Sequence, residues 1–375
     1  MTGGMSSCPV DQQRRATLLR LIEAAILAPS GDNTQPWAFE LQEDHGRIVV
    51  RVDAARDPSP MNAGQRMSRI AVGAAIENVV RTAALNKLAL EVECMDEQGA
   101  IAVRPSNVGD RTLQIDDAVR NRCTNRRLYD NQPIAATVVD ELNQASPVFE
   151  DIQTHWFTEP GRMVRLAALI RRSDALMFGA SQLRRAFFAN VRLDLPADSV
   201  ASEGLSLGCL EVFGAERVAF RLLAKLPDWL ATLLQVGHAI GKKSERLMRS
   251  ASGICLVDAP DDESLTDFAV GRAMQHAWLA LTEHGLSAQP MMSLAVLDSI
   301  VRFGTVELKR RLEDPVKAIL QEFRELYPEI GQKRPGFLLR FGNCAPPNGR
   351  TGRRAVVIET LGSNAHKGRS NFCLE

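Results

Sequence analysis

Two short stretches concentrate groups that can hold an anion. Arg122-Cys123-Thr124-Asn125-Arg126 places two guanidinium groups and a hydroxyl within five residues, a set able to neutralise a phosphate dianion. Each charge-assisted hydrogen bond of that kind contributes roughly 1.5–3 kcal/mol. Near the other end of the chain, Arg350-Thr351-Gly352-Arg353-Arg354 supplies further arginines. Taken alone, either stretch also fits a solvated basic surface.

A third stretch, Ala28-Pro29-Ser30-Gly31-Asp32-Asn33-Thr34-Gln35-Pro36-Trp37, is built to bend. Pro29 and Gly31 allow a tight turn, Ser30 and Asn33 carry short hydrogen-bonding side chains, and Pro36-Trp37 pins the next strand. Such a loop can present backbone N–H groups and small polar groups to a flat polar ring. An ordinary helix-to-strand turn ending in a core tryptophan fits the same residues. A fourth stretch is His284-Gly285-Leu286-Ser287-Ala288-Gln289-Pro290-Met291.

Several other chemistries are not supported. The six histidines show no HxH or HExxH spacing and none lies in a cysteine cluster, so no metal centre is expected. There is no GxxxxGK[ST], no GxGxxG after a strand and no GxSxG elbow. No general acid or base stands out.

The elements that must carry these stretches follow from periodicity. Leu18, Leu19, Ile22, Ala25 and Ile26 mark an amphipathic helix over 14–28 that Pro29-Ser30-Gly31 ends. Strands are expected at 37–41 and 47–52, a buried small-residue helix at 68–87, and strands at 88–94 and 112–115, with a loop at 105–110 between them. A restart at Asp116 leads to helices over 137–144 and 162–178 around a strand at 152–157. Pro196, Gly204, Gly208 and Pro227 interrupt 184–247, which reads as an insertion of short helices. Then come a buried strand at 253–257, a helix over 264–283 stopped by Gly285, a helix over 306–326 that Pro315 should kink or divide, and a strand at 337–341. The segment after it, rich in Gly, Asn and Arg, reads as a strap or arm.

Composition bounds the reading. With 375 residues, 45% hydrophobic and 24% charged, the chain is globular and large enough to bury a core without disulfides. Basic and acidic residues number 45 each, which argues against a surface built for nucleic acid. Only eight of the basic residues are lysine, and the arginine excess suits bidentate grips on phosphate or simply follows base composition. Seven scattered cysteines without a CxxC pair suit reduced thiols in a cytoplasmic protein. Residues 1–10 read as a loose tail without a secretory signal, and no apolar run is long enough to span a membrane.

The Ala-Pro-Ser-Gly-Asp-Asn-Thr-Gln-Pro-Trp string resembles the nitroreductase family of flavin proteins, in which a loop of this form lies against flavin mononucleotide (FMN). The resemblance implies that Pro29, Ser30, Gly31 and Asn33 contact the cofactor. Arg122, Thr124 and Arg126, trailed by Tyr129 and Pro133-Ile134, resemble the family segment that grips the flavin phosphate and ring. Gly285, Gln289 and Pro290 are similar to a segment passing beside the ring, except that Met291 and Met292 stand where the family has an acidic residue. Arg350 and Arg353 resemble the basic C-terminal residues on the phosphate.

In a simple family member the arginine segment precedes the Pro-Ser loop, and a second identical chain completes the site. Here the order is reversed, which resembles the fused branch: an α+β fold with two nitroreductase-like units, 1–115 and 116–375, imitating the family homodimer. The second unit carries the insertion 184–247 as a lid and a C-terminal arm over 342–375. The resemblance implies one FMN per chain and hydride transfer at flavin N5 from NAD(P)H to a small organic acceptor. Chemistry sits on the flavin, so no catalytic side chain is named. It also implies a pseudo-dimeric monomer or weak homodimer. The alternatives are an FMN-storage protein with little turnover, biosynthetic dehydrogenation and flavin fragmentation.

Overall fold

The computed structural model describes residues 9–94, 100–106, 112–147, 149, 151–196, 199–260, 266–361 and 367–372. Residues 1–8 of the expected tail over 1–10, most of the loop over 105–110, Ser264 and Leu265, Cys8 and Cys373 lie outside the described residues, whereas Pro9 and Val10, expected in that tail, begin a helix.

Helix α1 (Pro9–Ile26) delivers the chain into the Pro-Ser loop, from which β1 (Trp37–Gln42) and β2 (Arg47–Val52) form an antiparallel pair. Trp37, Phe39 and Leu41 point into the core from β1, as the alternation predicts. A six-residue 3-10 segment, Pro60–Gln65, then leads into α2 (Arg66–Leu85), whose small residues are almost all buried. Strands β3 (Ala89–Cys94) and β4 (Ile101–Ser106) complete this side of the sheet.

The strand expected at 112–115 does not form, and the strand lies at 101–106 instead. Leu113 and Ile115 are buried, but side chains satisfy the backbone between them: Arg20 donates to the Leu113 carbonyl, and Asn86 both donates to and accepts from the backbone of Gln114. With its polar groups met that way, the segment needs no strand partner.

Beyond it come α3 (Asp117–Asn121), α4 (Ala136–Ala145), β5 (Thr154–Phe157) and α5 (Pro160–Gly179). The interrupted region folds into α6 (Ser181–Ala189), α7 (Ala215–Lys225), α8 (Asp228–Leu233) and α9 (Val236–Arg249), the short helices expected of it. Strand β6 (Gly253–Ala259), α10 (Thr266–Glu283), β7 (Ser287–Pro290), α11 (Ser293–Phe303), α12 (Val306–Leu326) and β8 (Arg334–Gly342) follow. Helix α12 runs through Pro315 undivided, because its amphipathic face is held by the burial of Leu308, Leu312, Val316, Ile319 and Phe323. The apolar packing outweighs the lost hydrogen bond.

The result is α+β, with two sheets. The second has strand order β5-β6-β8-β7, and β8 is buried along its whole length. The first contains a feature that local patterning did not show. The arm returns as β9 (Val356–Leu361) and β10 (Lys367–Phe372), and β9 pairs in parallel with β1. The C-terminal segment therefore belongs to the sheet of the N-terminal one, giving the order β10-β9-β1-β2-β4-β3.

Helices α2 and α10 cross where neither can carry a side chain. A Cβ on Gly73 would sit 2.0 Å from the Phe268 carbonyl oxygen, and one on Gly271 would sit 2.0 Å from that of Ile70. The contact is reciprocal, glycine against backbone in both directions. Gly271→Ala must push the helices apart, and a loss of about 3 kcal/mol in unfolding free energy is expected. Urea denaturation checks it; an unchanged midpoint would mean that the crossing adjusts freely.

Candidate functional site

Three segments far apart in sequence meet around one cavity of about 650 Å³. Its wall includes Pro29, Ser30, Gly31 and Asp32 of the loop, Thr124 and Arg126 of the arginine segment, and Gln289, Pro290, Met291 and Met292 at the end of β7. Helices α5, α6, α7 and α9 supply much of the remainder, the last three from the inserted region.

The loop is held by unusual backbone and by its own amides. Asp32, Asn33 and Gln35 all have positive φ, at 46°, 58° and 52°, a conformation that asparagine and aspartate tolerate and most other side chains, glutamine included, resist. Ser30 Oγ accepts from the Gln35 amide at 3.0 Å. The Asn33 amide donates to the carbonyls of Ser202 and Gly204, and Gln35 Nε2 donates to Ser202 O at 2.7 Å. Asn33 thus points into the protein and ties the loop to the inserted region, while Asp32 turns toward the cavity with a hydrogen bond from Asn190.

The arginine segment is laid along β7. Asn125 N donates to Ala288 O at 2.9 Å, its side-chain amide reaches Ser287 Oγ and Ala345 O, and Tyr129 Oη donates back to Asn125 O. Beneath them lies Arg340, fully buried on β8. It donates to Gln289 Oε1 at 2.8 Å, Arg127 O at 2.6 Å and Leu247 O at 3.0 Å, and its guanidinium stacks 3.8 Å from the Tyr129 ring centroid. Burial holds Arg340 down to about 10, which leaves it charged at neutral pH. The expected site set omits it; an arginine inside the apolar run Phe337–Phe341 is the signal that marks it.

Arg122, Arg350 and Arg353 form a separate cluster beside the cavity wall. Arg353 caps α1, donating to the carbonyls of Ile26, Leu27 and Ala28 at 2.6–2.9 Å, as a cation at a helix C-terminus should. Arg122 also donates to Leu27 O and lies 4.6 Å over the ring of Trp278, which lines the cavity. Its Nε is buried and has no hydrogen-bond partner. Burial, then the like charges of Arg353 and Arg350, push Arg122 down to about 9. Among the described residues no carboxylate pairs with any of the three, and Arg350 is exposed.

Of the twelve sequence-derived site residues, then, Pro29, Ser30, Gly31, Thr124, Arg126, Gln289 and Pro290 line the cavity. Asn33, Arg122, Arg350 and Arg353 stand behind that wall or beside it, and Gly285 lies at the exposed end of α10, where φ is +69°. Groups absent from the expected set include Asp57, Asp174 and the phenylalanines of α5, α6 and α7. Asp174 was discoverable as an acid on the otherwise apolar stripe of α5; Asp57 had no local signal. Among the described residues no cluster of three or more metal-ligating side chains occurs. No helix there is long and apolar enough to cross a membrane.

Asp57 lies beside Gly31, where a Cβ would sit 3.9 Å from the Asp57 Oδ2, and burial pushes its carboxyl up to about 6. The folded chain therefore keeps a proton that the unfolded chain releases near pH 4, so stability falls as pH rises through that window. Asp57→Asn removes the effect, and its stability relative to wild type should rise between pH 4 and pH 7 by up to roughly 3 kcal/mol. Denaturant midpoints measured across that range check it; a difference independent of pH would refute it.

No family model matches the chain. It is 25% identical over 346 residues to an uncharacterized protein of Mycobacterium tuberculosis, an alignment covering 88% of this chain. The chain spans 46%, about half, of that relative's length. A nitroreductase with bound FMN from Bacteroides fragilis is 14% identical over 61% of this chain and 87% of its own, with a TM-score of 0.32. The FMN-dependent nitroreductase NfnB from Mycobacterium smegmatis, in complex with NADPH, is 15% identical over 60% and 86%, at 0.30. A nitroreductase-like family protein from Bacillus cereus is 13% identical over 66% and 94%, at 0.31.

Proposed function

We propose that the chain is an FMN-binding oxidoreductase of nitroreductase type, accepting reducing equivalents from NAD(P)H and passing them to a small organic acceptor. The observation that carries this reading is the convergence of the Pro-Ser loop, the arginine segment and the β7 segment on one cavity, with the unpartnered Nε of Arg122 in the arginine cluster beside it.

The residues fit the cofactor. Arg122 Nε is a buried donor with nothing to donate to, and Arg353 and Arg350 repel its charge; a phosphate dianion would relieve both conditions. Arg122 and Arg350 would hold that phosphate, with Arg353 locking the helix end behind them. Pro29, Ser30 and Gly31 would face the ring from one side, and Gln289, its oxygen already engaged by Arg340, would offer its amide N–H from the other. FMN supplies hydride transfer at N5 when bound, while the protein supplies orientation and a water-poor wall.

A storage role is the second reading, favoured by Met291 and Met292 where the family has an acid. Against it, the cavity wall extends well past the residues assigned to FMN into an apolar region of four helices. Room for a second molecule suits turnover. The reciprocal crossing of α2 and α10 supports two fused units standing in for a dimer, and the free thiols of Cys123, Cys209, Cys255 and Cys344 suit a reducing compartment.

Purified protein should be yellow, carry one FMN per chain, and bleach anaerobically with NADH or NADPH. Colourless protein that ignores added FMN would defeat the reading. Arg350→Ala, an exposed change, should weaken FMN by about tenfold or more without altering the unfolding midpoint. Retained affinity would place the phosphate elsewhere. Steady-state NAD(P)H oxidation with a quinone or nitroaromatic acceptor separates turnover from storage.

A further inference from the structure

The part of the cavity not assigned to FMN has a composition of its own. Phe178 and Phe187 meet edge to face at 5.2 Å, and Phe188 and Phe220 lie 5.2 Å apart at 62°. All four line the cavity. Set into this apolar wall is one carboxylate on α5, Asp174, only 8% exposed. It stands one helical turn from Phe178, so acid and rings share a face.

The acid is held in place by the adjoining helix. Ser244 Oγ on α9 donates to Asp174 Oδ2. The two helices are clamped backbone to backbone, because a Cβ on Gly237 would lie 2.5 Å from Ala175 O and one on Gly241 would lie 2.3 Å from Arg171 O. No Lys, Arg or His pairs with Asp174 among the described residues. The neighbouring base on the wall, Lys243, is over half exposed and lies 3.8 Å from Glu216. Burial raises the Asp174 carboxyl above its ordinary range, as expected of an acid with no cation beside it.

An acid buried among hydrocarbons is costly to ionise unless a cation meets it. Aromatic faces attract cations as well. A neutral ligand answers neither condition, whereas an ammonium group answers both. We propose that this chamber binds an organic amine, its apolar body against the phenylalanines and its ammonium group on Asp174, and that such amines are the substrate class of the site. The proposal rests on the flavin reading only in assigning the rest of the cavity to FMN.

The test compares naphthylethylamine with naphthylethanol, its neutral counterpart, by calorimetry on FMN-loaded protein and on protein freed of flavin. The amine should bind about tenfold or more tightly than the alcohol. Asp174→Asn should abolish the preference while leaving alcohol affinity and FMN content unchanged. Phe188→Leu, which keeps the acid, should narrow the amine-to-alcohol ratio severalfold, and it serves if the Asn variant does not fold. Equal affinities in the wild type, or a preference that survives Asp174→Asn, overturn the proposal. Bound FMN without amine preference sinks this inference alone. Amine preference in protein that never takes up FMN sinks the flavin reading and leaves this one standing.

Discussion

The guanidinium of Arg340 is the contact from which the site hangs. It is buried in a strand with no exposed residue, and the low polarity around it makes an unmet donor expensive. Its donors are met by Gln289, by the backbone of Arg127 and by the end of α9 at Leu247. Those acceptors belong to three pieces that meet at the cavity: β7, the arginine segment and the inserted region. Satisfying one cation therefore fixes the relative position of segments that local sequence cannot relate. Tyr129 completes the arrangement, stacking on Arg340 and donating to Asn125 O.

A second set of constraints joins the N-terminal and C-terminal halves. At the crossing of α2 and α10 only glycine permits the backbones to touch. Nearby, Arg66 pairs with Asp267 at 3.1 Å and donates to Ser299 Oγ and Ala295 O, all of them buried. A buried ion pair of this kind adds little net stability, but losing one partner costs several kcal/mol, so it specifies the docking more than it strengthens it. Arg353 adds a third tie, running from the returning arm to the end of α1.

Much of the secondary structure was legible because burial imposes a period on each element. Trp37, Phe39 and Leu41 alternate as β1 requires, and the stripe of α12 is strong enough to carry Pro315 within it. Where reading failed, side chains or distant strands had replaced local patterning. Asn86 and Arg20 satisfy the backbone at 113–114, so an apolar stretch there is no strand. Strand β9 of the arm joins the first sheet because β1 has an open edge, a fact that appears only once the sheet exists. The cavity residues divide in the same way. Ser30, Arg126 and Gln289 sit in motifs whose spacing marks them, while Asp57 and Asp174 acquire significance from neighbours contributed by other elements.

By itself the sequence determined which segments can bend, bear charge or pack: the Pro-Ser loop, the arginine pairs, the glycine-bearing helices and the apolar strands. These are properties of residue type and spacing, and they survive without knowledge of partners. Tertiary structure alone decided how the arginines divide their work. Arg353 is drawn to the carbonyls at the end of α1, Arg340 to the acceptors beneath β7, and Arg122 is left with a buried donor unmet. A guanidinium carries the same charge wherever it stands, and only the acceptors that folding brings within reach settle whether that charge closes a helix, anchors a site or waits for an anion.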